Sequence, residues 1–94
     1  MKLIKIVKSH IPTKKYDAHL LVDGRERVIP FGAAGYDDFT MTKDPHRRSL
    51  YLLRHQSSED WANPLTAGFW SRWYLWNLPT RAASEKLLRA KFGL

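Results

Sequence analysis

Arg47, Arg48, Tyr51, Arg54 and His55 fall within one short stretch, at steps of three and four that place side chains on shared helical faces. Guanidinium groups with a phenol between them suit a phosphate backbone, because they offer positive charge and hydrogen-bond donors together. The same residues also suit an internal polar network. In that arrangement Tyr51, Arg54 and His55 meet Asp38, Asp44 and Glu59 and fix one helix against another. More cations gather towards the two ends. Lys2, Lys5, Lys8, Lys14 and Lys15 precede the first acid, Asp17, and the last stretch carries Arg81, Lys86, Arg89 and Lys91 against Glu85. Sixteen Lys and Arg against nine Asp and Glu give a net charge of +7, a balance that attracts polyanions.

Other chemistry is poorly served. The histidines are His10, His19, His46 and His55, and no two stand at a metal-binding i, i+4 spacing. The absence of cysteine excludes disulfides and thiolate chemistry. Ser49, Ser71 and Ser84 lack a nucleophile-elbow context, and the glycines of Gly32–Tyr36 lack phosphate-loop spacing. Asp38 or Asp44 beside a histidine has the makings of an acid–base pair, yet a helix-capping aspartate looks the same. The expectation is no catalytic residue, no cofactor and no metal. Met1–Lys8 is interrupted by lysines too often for a signal-peptide core or a membrane span, so a soluble intracellular protein is expected.

The elements that must position these residues centre on Thr66–Asn77, which holds three of the four tryptophans with Phe69 and Tyr74 among them. Asn63 as cap, Pro64 at the first position and Leu65, Phe69, Trp73 and Trp76 at steps of three and four predict an aromatic helix. Its rings are either a core or a stacking platform for bases, and helical spacing favours core. Trp70 or Tyr74 is expected to fall off the apolar face and mark a contact surface. Gly68 inside the helix predicts close approach of another backbone, and Arg72 should stack on a ring or pair with an acid.

Upstream, residues 2–8, 16–22 and 25–31 read as strands, with Asp23-Gly24 as a type I′ hairpin turn and Pro30 ending its strand or lying at an edge. Asp37–Met41 reads as a fourth strand or an extended run. Asp44-Pro45 starts a helix that runs to about Gln56, and Thr80 caps a last helix through Lys91 with Ala83, Leu87, Leu88 and Phe92 as its stripe. The chain is therefore one α+β domain, residues 1–94. An antiparallel meander of three or four strands (1–42) precedes three short helices (43–94) packed around the tryptophan-rich one.

Phe31-Gly32, Gly35-Tyr36, Asp38-Phe39-Thr40, Asp44, Arg47-Arg48, Tyr51, Arg54-His55, Glu59, Trp61, Ala67–Trp73, Leu75–Asn77 and Pro79 form an ordered set. It resembles an uncharacterised family of short basic proteins encoded by nucleocytoplasmic large DNA viruses, the giant viruses, over roughly residues 31–84. Phe39 and Met41-Thr42 depart from that family's pattern. The resemblance implies a viral source, residence inside the infected cell and no enzyme activity. By association with packaged viral cores, it points to a virion or DNA-associated role.

Two functions follow as expectations. The first is nucleic-acid association, with DNA favoured over RNA, through Lys2, Lys5, Lys8, Lys14, Lys15, Arg47, Arg48, Tyr51, Arg54 and Arg81. The second is a virion structural or protein-interaction module, as a homodimer or with a viral partner, docking through exposed aromatics and an edge strand. Neither involves a membrane.

Overall fold

The computed structural model describes residues 1–94. Strands β1 (Lys2–Lys8), β2 (Lys14–Val22) and β3 (Arg25–Ala33) form an antiparallel sheet in the order β1-β2-β3. Asp23 and Gly24 both take positive φ, 51° and 77°, which is the backbone a I′ turn requires. β3 is an edge strand and tolerates Pro30, whose missing donor costs no ladder bond on the open side. The β1–β2 register shifts between Leu3 and Lys5, so Ile4 is the extra residue of a bulge.

The helical half contains α1 (Phe39–Thr42), α2 (Pro45–His55), α3 (Ala67–Trp70) and α4 (Arg81–Phe92). Together with the meander this is an α+β fold. The segment 37–41 is not a fourth strand. The Asp38 carboxylate accepts from the Thr40 N–H and caps a single helical turn, which closes at Lys43 in the left-handed region. Asp44 caps α2 through the His46 and Arg47 amides, with Pro45 at the first position. Thr80 caps α4, and Gly93 (φ 67°) ends it.

The tryptophan segment differs from a regular helix over its whole length. Thr66, not Asn63, caps it by accepting from the Phe69 N–H. Asn63 instead accepts from the Leu65 N–H in a turn that precedes the helix. From Ser71 to Leu75 the chain widens into a π-helix, whose last bond runs from the Trp76 N–H to the Ser71 carbonyl. The wider turn changes which residues face inward. Trp70 is fully buried and Tyr74 is only 8% exposed, so neither marks a contact surface. Trp73, expected inside, is half-buried.

The core lies between one face of the sheet and this segment. Leu3, Ala18, Leu20, Ile29 and Phe31 meet Phe69, Trp70, Tyr74 and Leu75, with Leu88 from α4. Phe31 stands edge-on to Tyr74 at 5.8 Å between ring centroids, and Phe69 stands edge-on to Phe92 at 4.8 Å. Two indole donors of the segment reach backbone carbonyls of the preceding loop: Trp70 Nε1 to Pro64 at 2.7 Å and Trp73 Nε1 to Trp61 at 2.8 Å. Gly32 (φ 77°) lets β3 pass close to this layer, since a Cβ there would lie 2.9 Å from Leu75 Cδ1. At Gly68 the close neighbour is the Glu59 side chain rather than a backbone, contrary to expectation. The buried stripe of α4 is Ser84 and Leu88, with Leu87 exposed. Ser84, outside the expected stripe, is fully buried, and its Oγ accepts from the Leu78 N–H. No helix is long and apolar enough to cross a membrane.

Candidate nucleic-acid interface

The ten residues expected to bind nucleic acid fall into three places. Lys2, Lys5 and Lys8 lie along the edge strand β1, and their side chains are exposed. Lys14, Lys15, Arg47, Tyr51 and Arg54 converge on one open cleft of about 490 Å³. Arg48 and Arg81 belong to neither group.

The cleft lies between the ends of β2 and β3, the loop after β3, α2 and the tryptophan segment. Its rim holds Lys14, Arg47, Arg54 and Tyr36; deeper lie Tyr51, His55, Leu75 and Trp76. Of its acids, Asp38 is buried and binds Lys15 Nζ at 2.6 Å, and Asp37 receives Arg47 Nη1 at 3.3 Å. Glu59 accepts from Trp61 Nε1 at 3.0 Å and lies 3.4 Å from His55 Nδ1. Lys14 and Arg54 are left as the exposed cations of the lining with no bonded partner in the chain.

Tyr51 does not lie on the basic surface. Its ring is the middle of a three-ring stack, 4.3 Å from Trp76 at an interplanar angle of 2° and 4.2 Å from His55 at 24°. Burial pushes its phenol well above the ordinary value of 10.0, and the Glu59 charge adds to this, while Arg72, Ser71 and Arg54 pull the other way. Of the expected polar network only the His55–Glu59 approach is present; Tyr51 is internal by stacking, with no acid bonded to it. Arg54 takes no part in it. Asp44 is the α2 cap and Asp38 the Lys15 partner, so neither joins that network.

Arg48 faces the core rather than solvent. Its Nε donates to the Asn77 carbonyl at 2.9 Å, and its guanidinium lies over the Phe39 ring. Arg72 stacks on Trp73 at 4.2 Å and on Trp61 at 5.4 Å and has no acid beside it. Burial and the Arg48 charge both lower its affinity for a proton. Arg81, the first residue of α4, donates to the Tyr16 hydroxyl and lies over that ring.

Two cations missed by the sequence expectation belong with the free set. Arg25 and Arg27 on β3 are exposed and make no ion pair or hydrogen bond through their side chains. Together with Lys2, Lys5, Lys8 and Lys14 they make six such residues on the sheet. Their alternation after the hairpin turn was the available signal. The acids of that half are Asp17, Asp23 and Glu26. Asp17 accepts from the Ser9 hydroxyl and the His10 amide and is paired with the His10 ring, and Glu26 lies 2.6 Å from His19 Nδ1.

The fold and this surface define a small α+β protein with a cationic sheet and one open aromatic cleft. Residues 4–55 match DUF5754, described as a family of unknown function, and the chain belongs to that family. The matched stretch runs from β1 to the end of α2 and so includes the sheet and much of the cleft lining. No curated protein and no solved structure matches the chain.

Proposed function

We propose that this is a non-enzymatic protein of a large DNA virus that associates with nucleic acid, DNA above all, through phosphate contacts. One observation carries the reading. Lys2, Lys5, Lys8, Lys14, Arg25 and Arg27 are exposed on one sheet with no internal partner, Lys2 and Lys5 on the face of His19 and Leu21 and Arg25 and Arg27 at the margin of the face of Leu20 and Val22, and the unpaired acid of that half, Asp23, sits at the tip of the hairpin. Each contact between such a cation and a phosphate releases condensed counterions. Such binding places little demand on base sequence. Arg54 extends the set at the cleft.

The test is anisotropy of labelled duplex DNA titrated with protein at about 50 mM and about 200 mM salt. Binding at the lower salt that weakens by at least tenfold at the higher supports the reading. No binding at low salt, or affinity indifferent to salt, contradicts it.

A virion structural or protein-docking role is the second reading, and the exposed apolar side chains favour it. Leu50 and Leu53, the latter 66% exposed, project from α2, and Leu21 and Val28 are exposed on the sheet. The lysines of β1 and the Arg25, Arg27 and Pro30 of β3 discourage edge-to-edge strand pairing, so a second copy or another protein would meet a face rather than an edge.

A further inference from the structure

We infer that the cleft between α2 and the end of the sheet is a subsite for one unpaired nucleotide, its base stacked on Tyr36 and its phosphate held by Lys14 and Arg54. The inference rests on the nucleic-acid reading and refines it from phosphate tracking to recognition of an exposed base.

Three observations carry it. The first is capacity: about 490 Å³ lies within the size range of small-molecule sites. The second is the wall. Tyr36 is 72% exposed, the most exposed large hydrophobic residue of the chain, and it lines this cleft. Packing does not account for an aromatic ring so placed, whereas a planar partner would. Leu75, Tyr51 and Trp76 line the same cleft, the Tyr51 ring with both faces covered by Trp76 and His55, so Tyr36 is the ring left open to a partner. The third is charge. Of the cleft's acids, Asp38 and Asp37 are paired with Lys15 and Arg47 and Glu59 accepts from Trp61 Nε1, while Lys14 and Arg54 have no counter-charge of their own. An open ring face and two free cations on one cleft match a base with its phosphate. A duplex cannot present a base face without unstacking it, so the cleft should discriminate single strands from duplex.

The experiment compares a 12-nucleotide oligothymidylate, a 12-base-pair duplex and thymidine monophosphate, each titrated with the whole chain and with Tyr36→Ala, Tyr36→Phe and the Lys14→Gln/Arg54→Gln double variant. Tyr36→Ala should weaken the single strand by roughly tenfold or more and leave the duplex within about twofold, and Tyr36→Phe should restore single-strand binding. Lys14→Gln/Arg54→Gln should weaken the oligothymidylate and the monophosphate alike. Measurable monophosphate binding assigns the subsite to free nucleotides as well; oligothymidylate binding alone assigns it to a nucleotide within a strand. Equal loss on duplex and single strand, or no change in either with Tyr36→Ala, overturns the inference and leaves phosphate tracking by the sheet intact. Failure of the wild-type chain to bind any of the three ligands overturns both.

Discussion

The sheet half and the tryptophan-centred half are both basic, yet they use their cations in opposite ways. Residues 1–33 hold seven Lys and Arg against three acids, and residues 34–94 hold nine against six. In the second half Arg47, Arg48, Arg72, Arg81 and Arg89 all contact other side chains or carbonyls, and Lys43 donates to the Thr40 and Pro79 carbonyls. In the first half only Lys15 is so engaged. Helix ends and a π-helical turn leave carbonyls unpaired and aromatic faces lie nearby, so the long guanidiniums of this half find partners, Arg48 and Arg72 within it and Arg81 and Arg89 across on the sheet at the Tyr16 hydroxyl and the Leu3 carbonyl. Sheet edges carry outward-directed lysines with no such acceptors in reach, and these also prevent strand addition. Net charge alone therefore misjudges how much positive surface is available.

The largest effect should come from removing the centre of the second half. Trp70→Ala deletes a fully buried ring and its bond to the Pro64 carbonyl, and urea denaturation should show a loss of about 3–5 kcal/mol. A loss below about 1 kcal/mol would break the claim that this half is the core.

A smaller effect belongs to the sheet. Asp17, only 2% exposed, is raised by its burial, but the hydrogen bonds from His10 and Ser9 outweigh this and leave it below the usual 3.8. The folded state therefore binds this proton less readily than the unfolded state. The stabilisation it contributes is present above pH 3.8 and is lost as pH falls through the folded value. Asp17→Asn should cost about 1–3 kcal/mol at neutral pH, by urea denaturation, with the difference from wild type narrowing as pH falls below 3.8. A constant difference across that range would mean that charge is not the source.

Local signals made the meander, the α2 and α4 caps and the general place of the core legible. Asp23-Gly24, Asp44-Pro45, Thr80 and Gly93 each act through their own backbone geometry. Within the Trp segment the 3.6-residue periodicity places Trp73 inside and Trp70 or Tyr74 outside, whereas the structure buries both Trp70 and Tyr74, and nothing in the residue types announces the π-turn over Ser71–Leu75. Asp37–Met41 was misread because one helical turn is too short to show a period; only the Asp38 cap distinguishes it. In the candidate site, spacing brought Arg47, Tyr51 and Arg54 together correctly. It could not show that Arg48 turns towards Asn77 or that Tyr36 reaches the same cleft from a separate loop, since both depend on tertiary packing.

The smallest expected stability change accompanies the most direct test of the central claim, that available charge resides on the sheet. The salt dependence of duplex binding should be measured for Lys2→Gln/Lys5→Gln/Arg27→Gln and for Arg48→Gln/Arg72→Gln. The sheet variant should keep its stability within about 0.5 kcal/mol and lose about one unit of log–log salt slope per cation removed. The Arg48/Arg72 variant should lose stability and keep the wild-type slope. An unchanged slope in the sheet variant, or an equal drop in both, would contradict the account.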